Sequence, residues 1–314
     1  MKICIVGPGI MSIPPTGWGA VEILIWDYKQ TLEKLGHEVL IVNTRDMNEI
    51  VRQCNEYNPD FVHVQYDEFW QVCDFLNCPN VAITSHFGYI DQPNRYDGYY
   101  NFIMNGFISM RKGKIFALSP SIAEQYRSRG FDESRLFVVP NGVRDDLFRF
   151  DPNCVLPEES IYLAKIEPRK RQFMFQHIEG LNFAGNVIDN RFDTSSQRYL
   201  GEWSKPQLYE NLTKYANLVL LSDGEAHPLV CLEAMSAGLG LVISECATAN
   251  LDTSLPFIDV VPESRIADID YVRTVIAENR KKSVQMRDEI RRYVVDNFSW
   301  DNIVKEHFFK YVQQ

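Results

Sequence analysis

The sequence predicts an α/β protein of two domains, each built on a mostly parallel sheet covered on both faces by helices. Three observations predict it. Short apolar runs alternate with helical patterns along most of the 314 residues. A single hydrophobic core stops growing at about 250–300 residues, so the length favours two. The alternation also breaks once, across Arg144–Glu159, where Asp145-Asp146, Pro152 and Pro157 interrupt it, and then restarts. The expected division is 1–152, 153–298 and a terminal helix over 299–314.

Lys2–Val6 is an apolar run ending at Gly7, the mark of a buried parallel strand. A turn-rich loop with Pro8, Gly9, Pro14, Pro15, Gly17 and Gly19 follows. Ala20–Leu35 reads as a helix closed by Gly36. Strands are expected at Glu38–Asn43, Asp60–Gln65, Val81–Thr84, Lys114–Leu118 and Leu136–Val139, with helices at Asp46–Tyr57 and Pro120–Arg129. After the break, strands are expected at Ser160–Ala164, Asn182–Ala184, Leu218–Ser222, Leu239–Ser244 and Phe257–Val261. Helices are expected at Phe173–Glu179, Lys205–Tyr215 and from Pro228 up to Gly238, which lies just past the helix end. The tail from Ile266 reads as helices interrupted near Phe298-Ser299-Trp300.

Hydrophobic content of 45% and charged content of 24% fit a soluble globular chain. A net charge of −10 argues against general nucleic-acid binding and against strong attachment to an anionic membrane, leaving peripheral contact open. Seven cysteines without framework spacing suggest free thiols and a reducing, cytoplasmic setting. The apolar run at the N-terminus is too short for a signal peptide, and no stretch approaches the roughly 20 apolar residues of a membrane span. The cysteines lack zinc spacing, and Asp268-Ile269-Asp270 lies in the helical tail, so no metal site is expected.

The stretch Glu225–Gly238 holds the most chemistry. Pro228 suits a first helical position and Gly238 the residue beyond the helix end. Leu229, Val230, Cys231, Leu232, Ala234, Met235 and Ala237 make the helix apolar on every side, so it is expected to be buried. Glu233 is its single charge and needs donors or a ligand. The amides of Leu229 and Val230 offer an anion site, with Glu225 just ahead and His227 beside them.

Lys165, Arg169, Lys170 and Arg171 crowd the end of a strand, where Lys165 and Lys170 suit a diphosphate. His86 ends a strand beside Gly88; a lone histidine is more often structural than catalytic. Gly7-Pro8-Gly9 lacks the third glycine of a dinucleotide fingerprint, which discounts a nicotinamide cofactor. Gly9–Gly19, His86, Lys165 and Glu225 all follow strands, where ligands of such sheets bind. Trp18, Tyr66, Tyr89 and the Tyr96–Tyr100 segment are candidates for an acceptor-side wall.

Taken in order, these motifs resemble the retaining glycosyltransferases of family 4. They are Gly19-Ala20-Val21-Glu22, His86, Ala117-Leu118-Ser119-Pro120-Ser121 with Val139-Pro140-Asn141-Gly142-Val143, Lys165 with Lys170, and Glu225 with Glu233 before Ala234-Met235-Ser236-Ala237-Gly238. The resemblance implies the GT-B fold, two Rossmann-like doubly wound domains facing across a cleft, with the last helix crossing back. It implies hexose transfer from a nucleoside-diphosphate sugar (UDP or GDP) to a hydroxyl acceptor on a glycan, lipid or small molecule, with retention and without metal or cofactor. By the same resemblance Lys165, Lys170, the backbone at Gly17 and Gly19, and the helix start at His227, Pro228, Leu229 and Val230 hold the donor. Glu233 would bind ribose, and Glu225 and His86 would stand at the sugar. Three departures accompany it: lysine for the usual arginine at Lys165, Ala20 for a second glycine, and a short stretch between Lys170 and Gly201. A non-catalytic sugar-nucleotide binder and a GT-B epimerase are the alternatives.

Overall fold

The computed structural model describes residues 1–17, 19–90, 92 and 99–312. The chain divides into two compact units, Met1–Gly142 with Trp300–Gln314, and Val143–Ser299. The first division falls at Gly142/Val143 rather than 152/153. Residues after Gly142 pack into the second unit: the Arg149 N–H donates to the Tyr209 carbonyl at 3.0 Å, and the Arg287 guanidinium donates to the Asp151 carbonyl at 2.8 Å.

The first unit contains six strands: β1 (Lys2–Val6), β2 (Glu38–Val42), β3 (Phe61–Val64), β4 (Val81–Ile83), β5 (Lys114–Ala117) and β6 (Leu136–Val138). They pair in parallel in the order β2-β1-β3-β4-β5-β6. β3 and β4 are buried along their whole length, as a sheet covered on both faces requires. The helices are α1 (Ala20–Lys34), α2 (Met47–Tyr57), α3 (Tyr99–Ser109) and α4 (Pro120–Arg127). α1 buries Leu24, Ile25, Tyr28, Thr31 and Leu32, one face of a 3.6-residue period. Asp46 caps α2 by accepting from the Asn48 and Glu49 amides, and Ser119 caps α4 with Pro120 following.

Two elements lie outside those expected from the sequence. Asp67–Phe75 is a 3-10 run kinked at Phe69, and α3 buries Ile103, Met104 and Phe107 while Asn101, Phe102 and Asn105 face outward. α3 passes the Trp70 ring at Gly106, where a Cβ would meet Trp70 Cε2 at 2.4 Å. That approach is tertiary and leaves no periodic trace. The tail from Trp300 packs here through aromatic contacts. Trp300 stacks on Tyr28 at 5.3 Å, and Phe308 stands edge-on to Tyr28 and Phe61.

The second unit contains β7 (Leu156–Leu163), β8 (Leu181–Ala184), β9 (Tyr215–Leu220), β10 (Gly240–Ser244) and β11 (Ile258–Val261), parallel in the order β11-β10-β9-β7-β8. Its helices are α5 (Gln172–Phe175), α6 (Lys205–Asn211), α7 (Leu229–Ser236), α8 (Ile269–Gln285) and α9 (Arg287–Phe298). The helix expected through Tyr215 stops at Asn211. Thr213 is held there by the Arg287 guanidinium, on its carbonyl at 2.6 Å and its hydroxyl at 2.8 Å, and Tyr215 starts β9.

Strand order reverses between β1 and β3 in one sheet and between β7 and β9 in the other. Doubly wound sheets bind ligands beyond the carboxyl ends of the strands at such points. Among the described residues no helix is long and apolar enough to cross a membrane. All seven cysteines are free thiols.

Candidate functional site

The second unit gathers its charged residues at the β7/β9 reversal. The chain leaves β7 through Lys165 and forms a single 3-10 turn over Pro168–Lys170. The Tyr162 hydroxyl, buried in β7, donates to the Lys170 carbonyl at 2.5 Å and accepts from the Leu221 amide at 2.8 Å. One phenol thus ties the basic turn to the end of β9. The Asp223 amide donates to the Arg169 carbonyl at 2.9 Å, a second tie. Gly185 is required at the end of β8, because a Cβ there would lie 2.0 Å from the Ala164 carbonyl oxygen.

Lys170 Nζ donates to Glu225 Oε1 in a close ion pair, and both side chains are about nine-tenths buried. Arg169 stands 3.8 Å from the same oxygen and donates to the Gly224 carbonyl at 2.9 Å. Its Nε also pairs with Glu167 at 2.6 Å. The Lys165 ammonium lies 3.9 Å from Glu167, with 34% of its side chain exposed. Arg171 turns away to a bidentate pair with Glu263. The four cations therefore divide: Arg169 and Lys170 face Glu225, Lys165 stands near Glu167, and Arg171 turns to Glu263.

α7 is fixed at its C-terminal end. Gly238 (φ 86°) lies beyond Ala237; its amide donates to Met235 and the Leu239 amide to Ala234, both at 3.0 Å. This 6→1 and 5→2 pair is a Schellman closure. Arg287 donates to the Ala237 carbonyl at 3.0 Å, and Arg291 to the Ser236 carbonyl. Both cations sit at the negative end of the helix dipole. The helix starts at Leu229, one residue later than expected, with Pro228 extended at the cap position (ψ 109°). Leu229 and Val230 are half-buried at this start, where helix amides have no intrahelical partner. His227 is buried beneath it, 5.9 Å from the Phe298 ring.

Glu233 lies one turn along α7, half-buried rather than enclosed, and accepts from Lys205 Nζ at 3.0 Å. Lys205 opens α6, whose capping box joins Ser204 and Gln207. The sequence gives no functional signal for Lys205 or Tyr162. The Ser204-Lys205-Pro206-Gln207 signature marks a helix start, but its meeting with Glu233 is tertiary.

In the first unit, Gly19 (φ 145°) caps α1 in a backbone region that glycine favours, and a Cβ at Gly17 would meet nothing within 4 Å. Asn43 holds the loop before them, accepting from the Gly9 amide and donating to the Met11 carbonyl, both at 2.8 Å. His86 follows β4, half-buried, with Nε2 2.8 Å from Gln65 Oε1. Burial lowers its pKa to about 4. Tyr66 is half-buried, edge-on to Phe69. Tyr89 is only 4% exposed and packs against Phe87, so its ring is core rather than an open acceptor wall. Trp18 and Tyr96 lie outside the described residues.

Among the described residues, no group of three or more His, Cys, Asp or Glu side chains could hold a metal. Asp268 caps α8 by accepting from the Tyr271 amide, and Asp270 pairs with Arg273, so both serve the helix.

Residues 43–147 match the family model for Glycosyltransferase Family 4. No curated protein matches the chain. Among solved structures, Anabaena HepE in complex with UDP-glucose superposes with a TM-score of 0.73 at 15% identity, covering 100% of both chains. Sucrose-phosphate synthase from Thermosynechococcus elongatus gives 0.76 at 16%, covering 99% of this chain and 98% of that one. The lipopolysaccharide outer core galactosyltransferase WaaB gives 0.68 at 16%, covering 99% of each. The resemblance to family 4 glycosyltransferases holds, and the fold is GT-B.

Proposed function

We propose that this chain is a retaining, metal-independent glycosyltransferase that moves a hexose from a nucleoside-diphosphate sugar to a hydroxyl acceptor. The observation that carries this is the basic turn after β7, in which Arg169 and Lys170 face Glu225 and Lys165 stands near Glu167, at the β7/β9 reversal. A departing diphosphate gains negative charge as the glycosidic bond breaks. Preorganised cations and helix amides stabilise that charge without reorganising at the moment of reaction.

The remaining roles follow from chemistry. Glu233, held by Lys205, accepts hydrogen bonds from the ribose hydroxyls. Glu225 contacts the donor sugar near the reacting carbon, and its pairing with Lys170 keeps it oriented. Lys170 is already neutralised by Glu225, so the diphosphate draws mainly on Lys165, Arg169 and the α7 amides. His86, Gly17 and Gly19 serve the sugar end. The acceptor attacks on the face the leaving group departs from, which retains configuration. No protein group is assigned as general base. UDP-glucose is the first donor to test, because HepE was solved with it.

UDP-, GDP- and ADP-sugars should be screened by thermal shift, then the stabilising donor incubated with hydroxyl acceptors and a chelator. A stabilising ligand at a hundred times its Kd adds about 2.7 kcal/mol. Chelator-resistant transfer with an unchanged anomeric centre is the expected result. Binding without transfer would favour a non-catalytic binder, and free epimerised sugar without acceptor would favour an epimerase. Either outcome removes the transferase reading.

A further inference from the structure

A continuous hydrogen-bonded chain crosses the carboxyl ends of β3 and β4 and ends on His86. The Thr84 hydroxyl lies 3.1 Å from the Phe116 carbonyl oxygen. His63 Nε2 lies 2.9 Å from Thr84 Oγ1, and His63 Nδ1 lies 3.1 Å from Gln65 Nε2. Gln65 Oε1 then meets His86 Nε2 at 2.8 Å. Gln65, His63 and Thr84 are all buried.

The far end sets the direction of every proton. A carbonyl only accepts, so Thr84 spends its single proton on Phe116. The Thr84 oxygen is then left to accept, and His63 must donate from Nε2. His63 is enclosed by the rings of Tyr28, Phe61 and Phe116. Burial and the neighbouring His86 hold its pKa near 3, so at neutral pH it carries one ring proton. Nδ1 of His63 is therefore a lone pair, which obliges Gln65 to present its amide N–H there. The Gln65 oxygen consequently faces His86, and an oxygen can only accept.

We propose that Gln65 is a positioning residue that, polarised from the Phe116 carbonyl through Thr84 and His63, fixes His86 as its Nε2–H tautomer. Nδ1 of His86 is then a fixed acceptor, with no donor on it among the described residues. A histidine so prepared accepts a hydrogen bond from a hydroxyl and has no proton at Nδ1 to donate to a carbonyl or ether oxygen. Under the donor-sugar reading above, on which this last step rests, it selects a sugar hydroxyl. The tautomer itself does not depend on that reading.

The test is long-range 1H–15N NMR of the full chain with 15N-labelled histidine at neutral pH, without ligand. His86 is expected to show a protonated, pyrrole-type Nε2 and a bare, pyridine-type Nδ1. Thr84→Val keeps the shape of the side chain but removes the anchoring hydroxyl. It should move both His86 nitrogens toward averaged shifts although residue 84 does not touch His86, and Gln65→Leu should do the same. A protonated Nδ1 in the unmodified chain, or His86 shifts unmoved in folded Thr84→Val, would overturn the proposal. Because these spectra contain no donor, failure of sugar transfer leaves them readable, and the two ideas fail separately.

Discussion

Lys170 and Glu225 form a close ion pair between the basic turn after β7 and the loop after β9, with both side chains about nine-tenths buried. Removing one member leaves the other as an unpaired buried charge, a loss of about 3–5 kcal/mol for such pairs. Lys170→Met and Glu225→Leu should each lower stability by that order. The double substitution should recover most of it, because two apolar groups leave no charge behind. Urea unfolding of the four proteins measures the cycle; additive losses would mean that the two residues are not coupled.

The same pair separates stability from transfer. Lys170→Met with Glu225→Leu should fold yet lose about 10²–10³ in kcat, the usual cost of deleting one preorganised charge-stabilising group. Steady-state kinetics on the donor found by thermal shift would decide it, and a double variant with full kcat would exclude the Lys170–Glu225 pair from the chemistry.

Lys205 and Glu233 make the second carboxylate testable on its own. A hydrogen bond to a charged group contributes about 1.5–3 kcal/mol, or about 10–100-fold in affinity. Glu233→Ala should weaken binding of the bare nucleoside diphosphate by that factor. Lys205→Met should weaken it less, since it only steadies the carboxylate. Calorimetry with the diphosphate measures both, and equal affinity for Glu233→Ala and the unmodified chain would remove the ribose assignment.

Much of this site was legible in the chain order. β1 to β6 end close to where apolar runs meet turn residues, and Gly238 closes α7 as its position suggested. Glu225 and Glu233 stood out because charge is rare in so apolar a stretch. Their partners did not, because Lys170 and Lys205 lie 55 and 28 residues away in the chain. Gln65 and His63 carried no signal either, since their function comes from the neighbours that Thr84 and Phe116 supply across the sheet. α3 takes its place from the close approach of Trp70 at Gly106, which no periodicity records.

Arg287 is a buried structural cation. Its guanidinium donates to the carbonyls of Asp151, Thr213, Tyr215 and Ala237 at 2.6–3.0 Å. Arg287→Met leaves those carbonyls with no donor in a dry place, at about 1–3 kcal/mol each if unsatisfied. Relaxation should hold the total near 3–5 kcal/mol. Its melting temperature should fall while affinity for the nucleoside diphosphate, measured below that temperature, stays unchanged. An unshifted melt would refute the structural role.

The Tyr28 hydroxyl is buried with no hydrogen-bond partner among the described residues, beside a cavity of about 20 Å³ lined by His63, Gln65 and Thr84. Removing an unsatisfied buried polar atom is neutral or stabilising. Tyr28→Phe should leave the melting temperature unchanged or raise it, whereas Tyr28→Leu, which loses the stack on Trp300, should lower it. A large loss in Tyr28→Phe would show that the hydroxyl is satisfied by a water in that cavity.

His63 and His86 set a pH dependence whose sign can be derived. Burial lowers both, to about 3 and about 4, from an unfolded value near 6.5. Between those values the unfolded chain binds protons that the folded chain refuses, so stability rises with pH there. Their contribution is fully present above pH 6.5 and is lost as pH falls toward 4 and then 3. Asp67, raised by burial, acts in the opposite sense just above pH 3.8. Urea midpoints should therefore fall between pH 7 and pH 5. His63→Phe, whatever its absolute stability, should show a smaller fall over that interval. An equal or larger fall would mean that His63 takes up its proton in the folded chain as readily as in the unfolded one.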